Sequence, residues 1–292
     1  METAEIQNWV LENLLVSVYG AFLILGGLFS LYWIYKRELL RSRLETIPLS
    51  HWAIRPTDFI LYICFLLVWF SISSPLLFSL WQLFQSDQDS PGIIYQVFAG
   101  FVLQLGMLIV FLSFRSHFRT LEEKSLNQSL LSMGQSCKLG MAYLLGALPL
   151  ILIAGLLWGA TLHLVQQLGI DIELPLQQPI LLFQSIDSPV EFGLLFVLAV
   201  IVAPVAEEFV FRAGVYRFLK GKMRVPLAML ISGLLFGLIH FNIQSFAGLV
   251  VVGIALSYVY ESTKNIKVPI IFHALFNLNS IIWILLLPDS AL

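Results

Sequence analysis

An all-α bundle that crosses a membrane about eight times is the fold class the sequence predicts, and three observations carry that prediction. Apolar residues make up 59% of the 292-residue chain and charged residues only 12%, where a soluble domain carries about 25% charged residues. The apolar residues gather into eight runs of roughly 17–25 residues, the length an α-helix needs to span a hydrocarbon core. A helix is also the open-ended structure that satisfies all its own backbone polar groups in lipid. The third observation is that basic residues cluster in alternate connections between the runs. A net charge of −2, with neither a basic arm nor an acidic tail, gives no footing for a nucleic-acid partner. The lipid bilayer is the expected environment.

The first run, about Leu14–Tyr35, ends in Lys36, Arg37, Arg41 and Arg43, and the second, about Phe59–Phe84, ends in Asp87 and Asp89. The third, about Ile93–Phe114, is followed by Arg115, Arg119 and Lys124, and the fourth, about Leu139–Leu164, by Asp171, Glu173 and Asp187. The fifth starts near Val190 and leads to Arg217, Lys220, Lys222 and Arg224. The sixth is about Val225–Phe241, the seventh about Ala247–Tyr260 before Lys264 and Lys267, and the eighth about Val268–Leu287. Basic connections face the cytoplasm, which places both termini outside, in a cell membrane. Glu2, Glu5 and Glu12, rather than lysines, precede the first run, so it reads as a retained helix and not a cleaved signal.

Pro75, Pro149 and Pro204 fall inside spans and predict kinks. Trp9, Trp33, Trp69, Trp81, Trp158 and Trp283 fall mostly towards span ends, as an aromatic belt does. His51 and His117 sit in basic connections and read as solvated, His163 as interfacial. Cys64 and Cys137 are not placed to pair. Two units are expected, residues 1–189 with four accessory spans and 190–292 with four spans that hold the chemistry.

That chemistry starts at Glu207-Glu208-Phe209-Val210-Phe211-Arg212. A charged side chain at membrane depth costs about 2.5–3.5 kcal/mol even on insertion scales, so such residues face a bundle interior and serve a purpose there. On a helix, Glu208 and Arg212 share a face and can pair, while Glu207 points about 100° away and stays available. Two further polar pairs follow at four-residue spacing, Phe236 with His240 and His273 with Asn277. At 1.5 Å per residue, Glu207 and His240 sit about 20 and 22 Å from the basic ends of their helices but His273 only about 8 Å. The three meet if the fifth and sixth helices extend beyond the core, which puts the site in the cytoplasmic leaflet.

These three motifs, in this order and spacing over about Val190–Asn279, resemble the signatures of the CAAX protease and bacteriocin-processing (CPBP, or Abi) intramembrane proteases. The resemblance implies an endopeptidase acting on a peptide or lipidated protein chain at the membrane. It further implies that Glu207, beside Glu208, activates water, that His240 shares that water or protonates the leaving amine, and that His273 and Asn277 stabilise the tetrahedral intermediate. Arg212 would be the structural ion-pair partner.

Three other readings stay open. Glu207, His240 and His273 form a two-histidine, one-carboxylate set that zinc accepts; Asn277, a poor zinc ligand but a good oxyanion donor, weighs for a reaction that requires no cofactor. A non-catalytic scaffold or bacteriocin-immunity protein would use the same residues as an ion network and interhelical glue. A proton-coupled transporter would need paired broken helices in two related halves, and the chain shows no such repeat.

Overall fold

The computed structural model describes residues 2–41, 49–83, 92–117, 131–174, 178–186 and 188–286, all helices and their connections, with no strand among them. Helix α1 spans Glu2–Arg41, α2 Pro56–Gln82, α3 Ile93–His117, α4 Met133–Gln167 and the short α5 Gln178–Ser185. Helix α6, Pro189–Lys220, is 32 residues long and followed by α7 (Val225–Leu238), α8 (Phe246–Thr263) and α9 (Lys267–Leu286). Arg43, Asp87, Asp89, Arg119, Lys124 and Asp187 lie outside the described residues, as do the ends Phe84 and Leu287 of two expected spans.

Among the described residues, seven helices are long and apolar enough to cross a membrane, and α7 is a shorter apolar helix. The chain is thus an integral multi-pass membrane protein, and the difference from eight full spans lies in α7. Its 14 residues rise only about 21 Å, because the helix stops three residues before the predicted end at Phe241.

Local sequence explains the helix ends. Pro56, Pro189 and Pro226 open α2, α6 and α7, where the missing N–H is one that no helix would satisfy. Ser132 and Gln135 form a reciprocal capping box at the start of α4. Lys264, with φ of 56°, closes α8 in the left-handed region and donates its N–H to Tyr260 O at 2.8 Å.

Helix α4 is central: α1, α8 and α9 pack on it, α2 packs on α3, and α3 packs on α6. One apolar core runs through both halves of the sequence, from Leu23 and Tyr62 to Leu256 and Phe272. Helices α7 and α8 touch backbone to backbone. A Cβ added to Gly253 would lie 2.7 Å from the Gly233 Cα, and one on Gly233 would lie 2.8 Å from Val250 O. Small residues of this kind let membrane helices approach closely.

Trp69 departs from the belt pattern. It fills the space beside Gly106 within α2 and α3, with its indole N–H donating to Leu103 O at 3.0 Å. Cys64 and Cys137 are free and exposed. His163 is exposed beside Gln167, and His51 is exposed.

The basic end of α6 differs from expectation as well. Only Lys222 and Arg224 are exposed there. Arg217 is buried and donates to Ser50 O and Ser50 Oγ, both at 2.8 Å, while Lys220 pairs with Glu261 at 2.6 Å. These two charges tie α6 to the segment before α2 and to α8.

Candidate active site

Helix α6 carries the two carboxylates on a short α-helical stretch, Ala203–Glu208, set between π-helical segments at Leu198–Val202 and Phe209–Tyr216. Pro204 explains part of this. In the first π segment the Ala203 N–H reaches Leu198 O, five residues back; the next such bond, to Ala199 O, would need an N–H that Pro204 lacks. Asn277 supplies the missing donor, its Nδ2 reaching Ala199 O at 2.8 Å. Asn277 therefore fixes the break in α6 with one amide hydrogen and keeps the second.

Glu208 and Arg212 pair as their spacing predicts, at 3.2 Å with both side chains fully enclosed. Glu208 does not face the cavity but stands behind His273, whose Nδ1 lies 2.9 Å from the same Glu208 oxygen. Arg212 also donates to Gly253 O at 3.3 Å and lies 4.5 Å over the Phe236 ring. The α7–α8 glycine crossing thus presents both a carbonyl and a ring face to one buried guanidinium.

Glu207 faces the other way, into a cavity of about 770 Å³ that His240, His273, Asn277, Phe236 and Gln104 also line. The three motifs therefore meet. The rest of the lining is mostly apolar and comes from α3, α4, α5, α6, α8 and α9, including Leu103, Ile151 and Leu249. The Glu207 Oε1 accepts from Gln104 Nε2 at 2.9 Å, and Oε2 is buried without a hydrogen-bond donor among the described residues. The His273 Nε2 lies 3.9 Å from that Oε2, too far for a direct hydrogen bond and close to the span that one water bridges.

Both histidines are oriented through Nδ1. His240 lies in the turn after α7 rather than inside a span, because the helix ends at Leu238 and the chain then reverses through Phe241, whose φ of 48° is left-handed. A non-glycine residue held there costs about 1–2 kcal/mol. The His240 N–H turns to Gly237 O, and the ring Nδ1 takes the Phe236 carbonyl at 2.7 Å. A carbonyl only accepts, so His240 Nδ1 carries the proton and Nε2 is left for the cavity. For His273 the contact of Nδ1 with Glu208 Oε1 likewise leaves Nε2 for the cavity. Phe236 sets the spacing, its ring 4.9 Å from the His240 ring and 5.6 Å from the His273 ring.

Sequence reasoning passed over Gln104, since it looked for ionisable residues in the first four spans. The available signal was a lone amide between Leu103 and Leu105 in the middle of an apolar run. As for metal, no group of three or more His, Cys, Asp and Glu side chains among the described residues is arranged to hold an ion, so no step is derived through zinc.

Residues 189–279 match the family described as type II CAAX prenyl endopeptidase Rce1-like. This segment is similar to the Rce1-like family. All three motifs and α6 to most of α9 lie within it, and the CPBP resemblance holds for this stretch. The chain is also 32% identical over 84 residues to "Putative membrane peptidase YdiL" of Bacillus subtilis (strain 168), a match covering 29% of this chain and 34% of that relative. The match spans about a third of the relative's length. No solved structure matches the chain. Helices α1 to α5, including Gln104, lie outside the Rce1-like segment.

Proposed function

We propose that the chain is an intramembrane endopeptidase that hydrolyses a peptide bond in a membrane-associated peptide or lipidated protein, with Glu207 as the base. One observation carries the reading: Glu207 has one oxygen held by Gln104 and the other bare, buried and opposite His273 Nε2, inside a cavity that His240 and Asn277 share. A water there donates its two hydrogens to Glu207 Oε2 and His273 Nε2, which turns an oxygen lone pair towards a substrate carbonyl. As the water oxygen bonds to that carbon, its proton passes to Glu207. The second Asn277 amide hydrogen is the donor for the resulting oxyanion. When the C–N bond breaks, the proton held by Glu207 passes to the leaving amine, with His240 Nε2 as the relay. Glu208 and Arg212 touch no substrate in this scheme; they hold His273.

The test compares membrane proteins and peptides between cells carrying the intact chain and cells carrying Glu207→Ala. At least one uncut precursor should accumulate in the variant, and the intact protein purified into liposomes should then cut that precursor. Cleavage should survive a zinc chelator. Identical profiles from the two cell lines would refute the protease reading, and loss of cleavage restored by added zinc would replace its metal-free form.

The cavity opens, in this proposal, towards the cytoplasmic leaflet, following the basic connections. Lys222 and Asp171 are both exposed, so single cysteines at 222 and 171 report the orientation. An impermeant thiol reagent applied to intact cells should modify position 171 and spare 222; the reverse pattern would invert the topology.

A further inference from the structure

We infer that Gln104, on α3 and outside the Rce1-like segment, is a positioning residue for the Glu207 carboxylate, so that the N-terminal helices complete the site. Its bearing on catalysis rests on the protease reading; the contact itself does not.

Four features support the assignment. Gln104 stands between Leu103 and Leu105 in an apolar membrane helix, where a polar side chain needs a partner. Its Nε2 lies 2.9 Å from Glu207 Oε1, and an ionised carboxylate only accepts, so the amide nitrogen must face it. The approach of the two helices is built in at Gly100, one turn earlier on the same side of α3, where an added Cβ would lie 2.5 Å from Leu198 Cδ2. A larger residue at 100 would displace the Leu198 side chain from this contact. Finally, the Gln104 Oε1 is itself buried with no hydrogen-bond partner among the described residues, and the side chain lines the cavity. The amide thus spends its donor on Glu207 and keeps an acceptor for what enters.

With Oε1 anchored, the carboxylate cannot swing about its last torsion, and Oε2 is held towards His273. Arg212 lies on the enclosed side, 3.2 Å from Glu208 and donating to Gly253 O at 3.3 Å.

The experiment uses the full chain in detergent and Gln104→Met, which keeps the side-chain length and removes the donor. Dicyclohexylcarbodiimide, an apolar carboxyl reagent, is the probe, with modification of Glu207 and Glu208 followed separately by peptide mass spectrometry. Freeing Oε1 should speed labelling at Glu207 several-fold and leave Glu208 unchanged. On the precursor that accumulates in Glu207→Ala cells, kcat should fall about ten- to hundredfold, the size of a small misplacement of a reacting group, with KM within about twofold. Unchanged labelling at Glu207 would overturn the inference. An equal rise at both carboxylates would overturn it too, since that is general loosening rather than loss of one clamp. Faster labelling at Glu207 alone would uphold the contact even if no precursor is ever cut, an outcome that removes the protease reading separately.

Discussion

Glu208→Gln should lower the thermal stability of the purified protein far more than Glu207→Gln, although the two residues are neighbours with the same side chain. Glu208 is fully enclosed, pairs with Arg212 at 3.2 Å and meets His273 Nδ1 at 2.9 Å. Without its charge, Arg212 keeps Gly253 O and the faces of Phe236 and Phe211, contacts that do not neutralise a guanidinium in the protein interior. Breaking one side of a buried ion pair costs about 3–5 kcal/mol, a large share of a typical folding free energy of about 5–15 kcal/mol. Glu207 meets only the Gln104 amide directly and faces the cavity, and Glu207→Gln preserves its shape. Melting curves of both variants in one detergent decide the matter, and equal losses would mean that the two carboxylates form one structural network.

Glu207→Ala and His240→Ala should each remove most cleavage of the accumulated precursor, and the double variant should be scarcely slower than the worse single one. Groups that act in one chemical step are strongly non-additive, because once the step is lost a second deletion has little left to remove. Loss of a positioned proton-transfer group costs about 10²–10⁴ in rate, and loss of the base should cost at least as much. Losses that multiply, measured as kcat/KM on the same precursor, would show that Glu207 and His240 act independently rather than in one chemical step.

Much of this was legible one residue at a time. The membrane spans, the Glu208–Arg212 pair and the separate direction of Glu207 follow from run length and helical spacing, and the pair forms although Arg212 lies in a π segment. The convergence of Glu207, His240, His273 and Asn277 was expected from motif order and depth, and they do line one cavity. The route to it was different. The sixth apolar run was expected to continue to Phe241, yet α7 stops at Leu238 and a left-handed Phe241 turns His240 into the site. Hydropathy counts apolar side chains and does not register where the backbone leaves a helix.

Composition and periodicity determined that this is a multi-pass helical membrane protein with a candidate site at Glu207, because burying charge in lipid is costly enough to mark one in a single sequence. Only the tertiary structure decided which atoms each group faces. It turned Asn277 onto the carbonyl orphaned by Pro204, stood Glu208 behind His273, and brought Gln104 from a distant helix to Glu207. Those choices depend on helix crossings set by paired glycines and on backbone donors lost or gained at a π segment. They join residues as far apart as 104 and 207, whose pairing no local spacing encodes.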